Sequence, residues 1–141
     1  MNSLTRISHR LACGFSLLEL LLVLVIMALL ASLAMPQWQQ QQQQVRRQLA
    51  WLQLQHIALA QAEYQQQQGV YAQTMADLGM PAADSAYGYR LTGFAEGFQI
   101  VAQVLVPGPQ QGDSRCWQLF LHSRDGEYGV SKTGQREDLC R

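Results

Sequence analysis

Cys13-Gly14-Phe15-Ser16-Leu17-Leu18-Glu19 opens an apolar run that ends near Met35, and the reading of this stretch decides the rest of the chain. Between Phe15 and Met35 the only departures from apolar side chains are Ser16, Glu19 and Ser32. About 21 residues at roughly 1.5 Å each make a helix on the order of 30 Å, enough to cross the hydrocarbon core of a bilayer. One carboxylate, Glu19, lies a few residues inside the run. A charged group at the centre of a span costs roughly 2.5–3.5 kcal/mol and is by default a functional candidate. The dipole at a helix N-terminus offsets part of that cost.

Two readings follow from the residues alone. The run is a plain membrane anchor with a tolerated acid near its end, or a secretory signal peptide whose small residues, Ser32-Leu33-Ala34, are cut. The apolar region of an ordinary signal peptide is roughly 7–15 residues, and this one is longer. A third reading rests on resemblance. Gly14-Phe15-Ser16-Leu17-Leu18-Glu19 followed by Leu, Val and Ile resembles the class III signal of type IV pilins and pseudopilins. The resemblance implies that a dedicated prepilin peptidase cuts after Gly14 and methylates the new amino terminus at Phe15. It also implies that Glu19 stays in the helix and meets the amino terminus of a neighbouring subunit. Residues 1–14 would then be a leader, 15–36 a transmembrane and assembly helix, and 37–141 a periplasmic globular domain.

With 141 residues the chain has room for one small domain besides this segment. The formal net charge is zero; loss of residues 1–14 removes Arg6 and Arg10 and no acid, which leaves eight basic residues against ten acidic ones, a net of −2. A domain of that charge lacks the basic footprint of a dedicated nucleic-acid binder. Cys13 would leave with the leader, and Cys116 and Cys140 remain as an even pair. In an exported domain such a pair means a disulfide, and in a cytosolic one a pair of thiols. Closing a loop of roughly 25 residues contributes about 3 kcal/mol in the chain-entropy picture. Arg6 and Arg10 before the run nearly balance Arg46 and Arg47 after it, so the cysteine pair tips the orientation towards residues 37–141 outside the cytoplasm.

Pro36 follows the run directly, and Gln37 to Gln44 are glutamines interrupted only by Trp38. Glutamine is a fair helix former, and no glycine or further proline comes before Gly69. Phe15 to about Gln68 therefore reads as one long helix, bent or loosened near Pro36, where a backbone hydrogen bond is lost. Its second half has two apolar faces, Val45, Leu49, Leu52 and Leu59 on one and Trp51, Leu54, Ala58 and Ala62 on another. Either one face packs on its own sheet and the other on neighbouring subunits, or both serve one core. Arg46 and Arg47 are a solvated face or meet acids on a neighbour.

Beyond Gly69 comes a loop with one expected helical turn, Thr74 to Leu78, at capping-box spacing. Strand-like alternation follows. Tyr87, Tyr89 and Leu91 share one face, and Phe98, Ile100, Ala102, Val104 and Val106 another, before Pro107-Gly108-Pro109 stops the run. A third strand spans Cys116 to His122, and Asp125-Gly126 turns into a fourth, Glu127 to Ser131. The expected class is α+β: a long N-terminal helix packed on an antiparallel sheet of about four strands, with the tail pinned to the third strand by Cys116 and Cys140. These are the parts of a type IV pilin, and the two cysteines match those that frame the family's C-terminal region. Tyr87-Gly88-Tyr89 and Asp113-Ser114-Arg115-Cys116 resemble the smaller minor pilins.

No Ser/His/Asp set, phosphate loop or metal-ligand spacing marks an enzyme or a cofactor site. His56 and His122 read as structural or solvated, Asp125 and Glu127 as turn residues, and Tyr87, Tyr89, Phe94 and Trp117 as core. The implied function is that of a minor pilin in a bacterial type IV pilus, anchored in the inner membrane before assembly and on the cell surface after it. Adhesion or twitching motility would follow from assembly. Its partners would be other pilin subunits, the prepilin peptidase and the inner-membrane assembly platform. The alternatives are a minor pseudopilin of a type II secretion system, and a soluble periplasmic binding module released after Ala34.

Overall fold

The computed structural model describes residues 16–140, apart from the side chains at 33, 34 and 36. Gly14, Phe15 and the ring of Pro36 lie outside the described residues. Helix α1 (Leu17–Gln68) is 52 residues long. It starts where the Ser16 carbonyl accepts the backbone N–H groups of Glu19, at 2.9 Å, and Leu20, at 3.2 Å. It stops at Gly69, which takes a φ of 74° while its N–H returns to the Gln65 carbonyl at 2.9 Å. A residue without a Cβ enters that left-handed conformation at no steric cost and closes the last turn.

The chain divides into two compact units after Trp38. In the first, the helix is long and apolar enough to cross a membrane, and its described leucines, valines and isoleucine are exposed. In the second, residues 39–68 of the helix carry one buried face formed by Ala50, Trp51, Leu54, Ile57 and Gln61. That i, i+4, i+7, i+11 spacing from Ala50 lays one stripe on the sheet.

The sheet has five antiparallel strands in sequence order: β1 (Tyr87–Phe94), β2 (Gly97–Val104), β3 (Gln118–His122), β4 (Gly126–Val130) and β5 (Arg136–Glu137). Its inner face buries Tyr87, Tyr89 and Leu91 from β1, Ile100, Ala102 and Val104 from β2, and Leu119 from β3. Each leucine, isoleucine or valine among them contributes about 1.5–3 kcal/mol when fully removed from water. The fifth strand is an addition to the expected four; two residues are too few to show a period, yet Arg136 pairs with Val130 and Glu137 with Gly129. β2 ends two residues before Val106, because the Leu105 N–H turns to the Ala86 carbonyl and Pro107 has no N–H to offer. Val106 is consequently exposed.

The expected helical turn at Thr74 is a turn only. Thr74 N–H donates to Asp77 Oδ2 at 2.8 Å and Asp77 N–H to Thr74 Oγ1 at 3.3 Å, and Gly79 at φ 65° ends the segment after too few residues for a helix. The bond from the Thr74 N–H, the foremost of those made to the ionised form, holds the Asp77 carboxyl below its ordinary value. The β3–β4 hairpin pairs His122 with Gly126 across Ser123, Arg124 and Asp125, with Gly126 at φ 74°. It is thus a three-residue loop closed by a left-handed glycine. The exposed edge of β1 is covered by a bridge between Ala83 and Gly88 and by Tyr89 N–H donating to Ala82. Covering an edge removes a template for unwanted strand pairing.

Candidate functional site

Glu19 stands in the first turn of α1, exposed, with no hydrogen-bond or ion-pair partner among the described residues. The first turn places a carboxylate where the helix dipole favours it, but leaves the charge uncompensated by a cation.

The two helix faces have separate fates. Trp51 and Leu54 are buried and Ala58 is half-buried, whereas Val45, Leu49, Leu52 and Leu59 are exposed, the last by 70%. The reading in which both faces serve one core therefore fails for this chain. Ala62 also departs from its expected face and is exposed, since the buried stripe passes through Gln61 instead. Gln61 is fully buried, and its amide donates to the Ala72 carbonyl and accepts the Ala72 N–H, both at 2.9 Å. One side chain thereby satisfies both backbone groups of Ala72 and ties the loop after Gly69 to the helix.

About two turns or more before Gln61 the same helix holds the C-terminal region. Cys116 and Cys140 are bonded, with Cα atoms 5.6 Å apart, and both are fully buried. The Trp51 indole N–H donates to the Cys140 carbonyl at 2.7 Å. Gly129 lies under this pair, and a Cβ there would overlap the Cβ and Sγ of Cys140. Arg47 does not face a neighbour: its Nε donates to Asp113 Oδ2 at 3.1 Å inside the chain. Arg46 donates to the Pro109 carbonyl at 3.1 Å. Gln110, buried, donates to Asp113 Oδ2 at 2.9 Å and to the Gln43 carbonyl at 3.2 Å. Asp113 Oδ1 accepts the Cys116 N–H at 3.1 Å.

Two tyrosines complete this polar layer. The Tyr89 hydroxyl donates to Asp84 Oδ2 at 2.6 Å, and Asp84 Oδ1 accepts the N–H groups of Ala86 and Tyr87. Burial first, and the nearby Asp113 charge second, hold the Tyr87 hydroxyl protonated well beyond the usual phenol range. Burial and the bond to Asp84 do the same for Tyr89. Of the four aromatics expected in the core, only these two are there. Phe94 is 37% exposed and stacks on His122, and Trp117 is half-buried under the Lys132 ammonium.

Nothing in this layer joins a nucleophile to a base, and among the described residues no group of three His, Cys, Asp or Glu side chains is placed to hold a metal. The arrangement positions surfaces. Residues 9–35 match the model of the prokaryotic N-terminal methylation motif. No curated protein and no solved structure is similar enough to this chain to count as a match. The matched segment covers Gly14, Phe15 and Glu19, and it implies processing by a prepilin peptidase and assembly with other pilin subunits. The chain thus carries the prepilin signal of type IV pilins and pseudopilins, on an α+β fold compatible with that of pilins.

Proposed function

We propose that this chain is a minor pilin, a subunit added in small numbers to a bacterial type IV pilus. Residues 1–14 are removed as a leader, residues 15–36 anchor the subunit in the inner membrane and then enter the filament, and residues 37–141 fold in the periplasm. The observation that carries the reading is the exposed stripe of Val45, Leu49, Leu52 and Leu59 on a helix whose other face is already buried. Such a face in a chain with a methylation motif is suited to packing between helices of neighbouring subunits.

Glu19 supplies the register. A neighbour's terminal ammonium, on methylated Phe15, neutralises the carboxylate as the helix leaves the bilayer. An unpaired charge in an apolar setting is expensive, so the staggered position that pairs it is favoured over the others. Pro36 lies where the span gives way to the globular unit. In the oxidising periplasm, Cys116 and Cys140 keep the C-terminal region on the sheet.

The test replaces Leu52 with Glu in the full chain. The variant is expected to be processed, to fold and to remain in the membrane, while its recovery in sheared pili falls sharply. Normal recovery of Leu52→Glu in pili would remove the stripe from the assembly surface. Loss of secreted enzymes with intact pili would place the subunit in a type II secretion system instead.

A further inference from the structure

We propose that the outward face of the sheet is a binding site for an acidic polysaccharide, a polymer of sugar rings bearing uronate carboxylates. The register places Arg90, Val101, Phe120 and Tyr128 side by side across four strands. Three strand spacings make that row about 14 Å long. The Arg136 guanidinium extends it, lying 4.2 Å from the centre of the Tyr128 ring. At the other corner the Lys132 ammonium lies 4.8 Å from the Trp117 ring. A groove of about 570 Å³ lies over the β1–β3 part of this face, lined by Arg90, Val101, Phe120 and Trp117 among others, and none of the residues lining it is acidic.

Charge gives the first argument for the ligand. The strand positions that point outward hold no aspartate or glutamate, although the chain has ten acids in all. Glu127 and Glu137, on β4 and β5, occupy positions of the opposite parity. Among the described residues Arg90, Lys132 and Arg136 have no carboxylate partner. A guanidinium stacked on a ring keeps its N–H edge free and pre-oriented, which suits bidentate capture of a carboxylate.

The rings give the second argument, by exclusion. Phe120 and Tyr128 stack on each other with planes 4° apart, and Arg136 covers the other side of Tyr128. These faces are occupied, so the strip offers little platform for the base stacking that single-stranded nucleic acid uses. What remains beside the cations is a set of side-chain amides. Gln103 faces Gln118 on one side of the Val101–Phe120 pair, and Gln99 faces His122 on the other. An amide both donates and accepts, as does a sugar hydroxyl, and Val101 supplies a small apolar floor for a sugar ring.

This inference does not depend on which machine assembles the subunit. The full chain in a zwitterionic detergent is tested for binding to immobilised polygalacturonate. Binding is expected, it should weaken with added salt, and the neutral polymer dextran should bind at least about tenfold more weakly. Arg90→Gln and Arg136→Gln should each weaken polygalacturonate binding about tenfold, the loss expected for a charge-assisted pair. Arg90 is exposed and without a partner, so its replacement leaves the fold intact. Arg124→Gln, at the hairpin turn where Arg124 pairs with Glu96, should bind like the parent. The proposal is overturned by no binding, by dextran binding equally, or by equal loss in Arg124→Gln. Retained binding in both Arg90→Gln and Arg136→Gln also overturns it. Tighter binding of an oligothymidylate or of polyglutamate would show that the face selects another class of polymer.

Discussion

Arg47 on the helix and Asp113 in the loop before Cys116 form an ion pair 3.1 Å long between positions 66 residues apart. The aspartate side chain is 4% exposed and the arginine 15%. Asp113 also takes N–H groups from Gln110 and Cys116, so one carboxylate joins the helix, the loop and the disulfide. The helix therefore holds the C-terminal region by directed bonds as well as by the apolar stripe.

Asp113→Asn keeps the shape and places an amide against the guanidinium. Breaking one side of a buried pair costs about 3 kcal/mol or more, because the remaining charge stays out of water. The urea midpoint of the full chain should fall accordingly, and Arg47→Met combined with Asp113→Leu should recover part of the loss. An unchanged midpoint in Asp113→Asn would contradict this role.

Trp51→Phe keeps the ring in the core and removes the donor to the Cys140 carbonyl. Leaving that buried acceptor unsatisfied costs about 1–3 kcal/mol. Denaturation under non-reducing conditions should register the loss with the disulfide still closed.

The buried tyrosines set an alkaline limit. Their folded values lie above the ordinary value of 10.0, so the neutral form is the one the fold stabilises. That stability is fully present below pH 10 and is lost as pH rises above it towards the folded values, because only the unfolded chain then readily releases the protons. Tyr87→Phe should flatten the fall in stability above pH 10. An unaltered alkaline slope in Tyr87→Phe would rule Tyr87 out as its source.

On the proposed function, Glu19→Ala should still be cleaved, because the proposed cut lies before Phe15. Its incorporation into filaments should drop, since no carboxylate then distinguishes the correct stagger from its neighbours. Incorporation at the parent's level would remove Glu19 from the register.

The strands were legible because one face of an antiparallel sheet is buried: Tyr87, Tyr89 and Leu91 alternate with outward residues, as do Ile100, Ala102 and Val104. The helix was legible from the apolar run before Pro36 and from the absence of any further proline or glycine between Pro36 and Gly69. The two-residue β5 carries no period, and its pairing with β4 depends on the chain doubling back at Ser131 and Gln135. Gln61 and Gln110 could not be told apart from the other glutamines, because their task is set by backbone groups that only the fold brings near. The same holds for Arg47, whose partner is distant in sequence. The exposure of Leu49 and Leu52 was one of two open readings, and the fold decides it: the stripe through Ala50, Leu54, Ile57 and Gln61 is buried and the other is left exposed.

The amino terminus of the mature protein tests the central claim most directly. Mass spectrometry of the protein isolated from membranes should find a chain that begins at Phe15 and carries one methyl group on its amino nitrogen. A mature chain that begins at Met35, or one that still begins at Met1, would contradict the account.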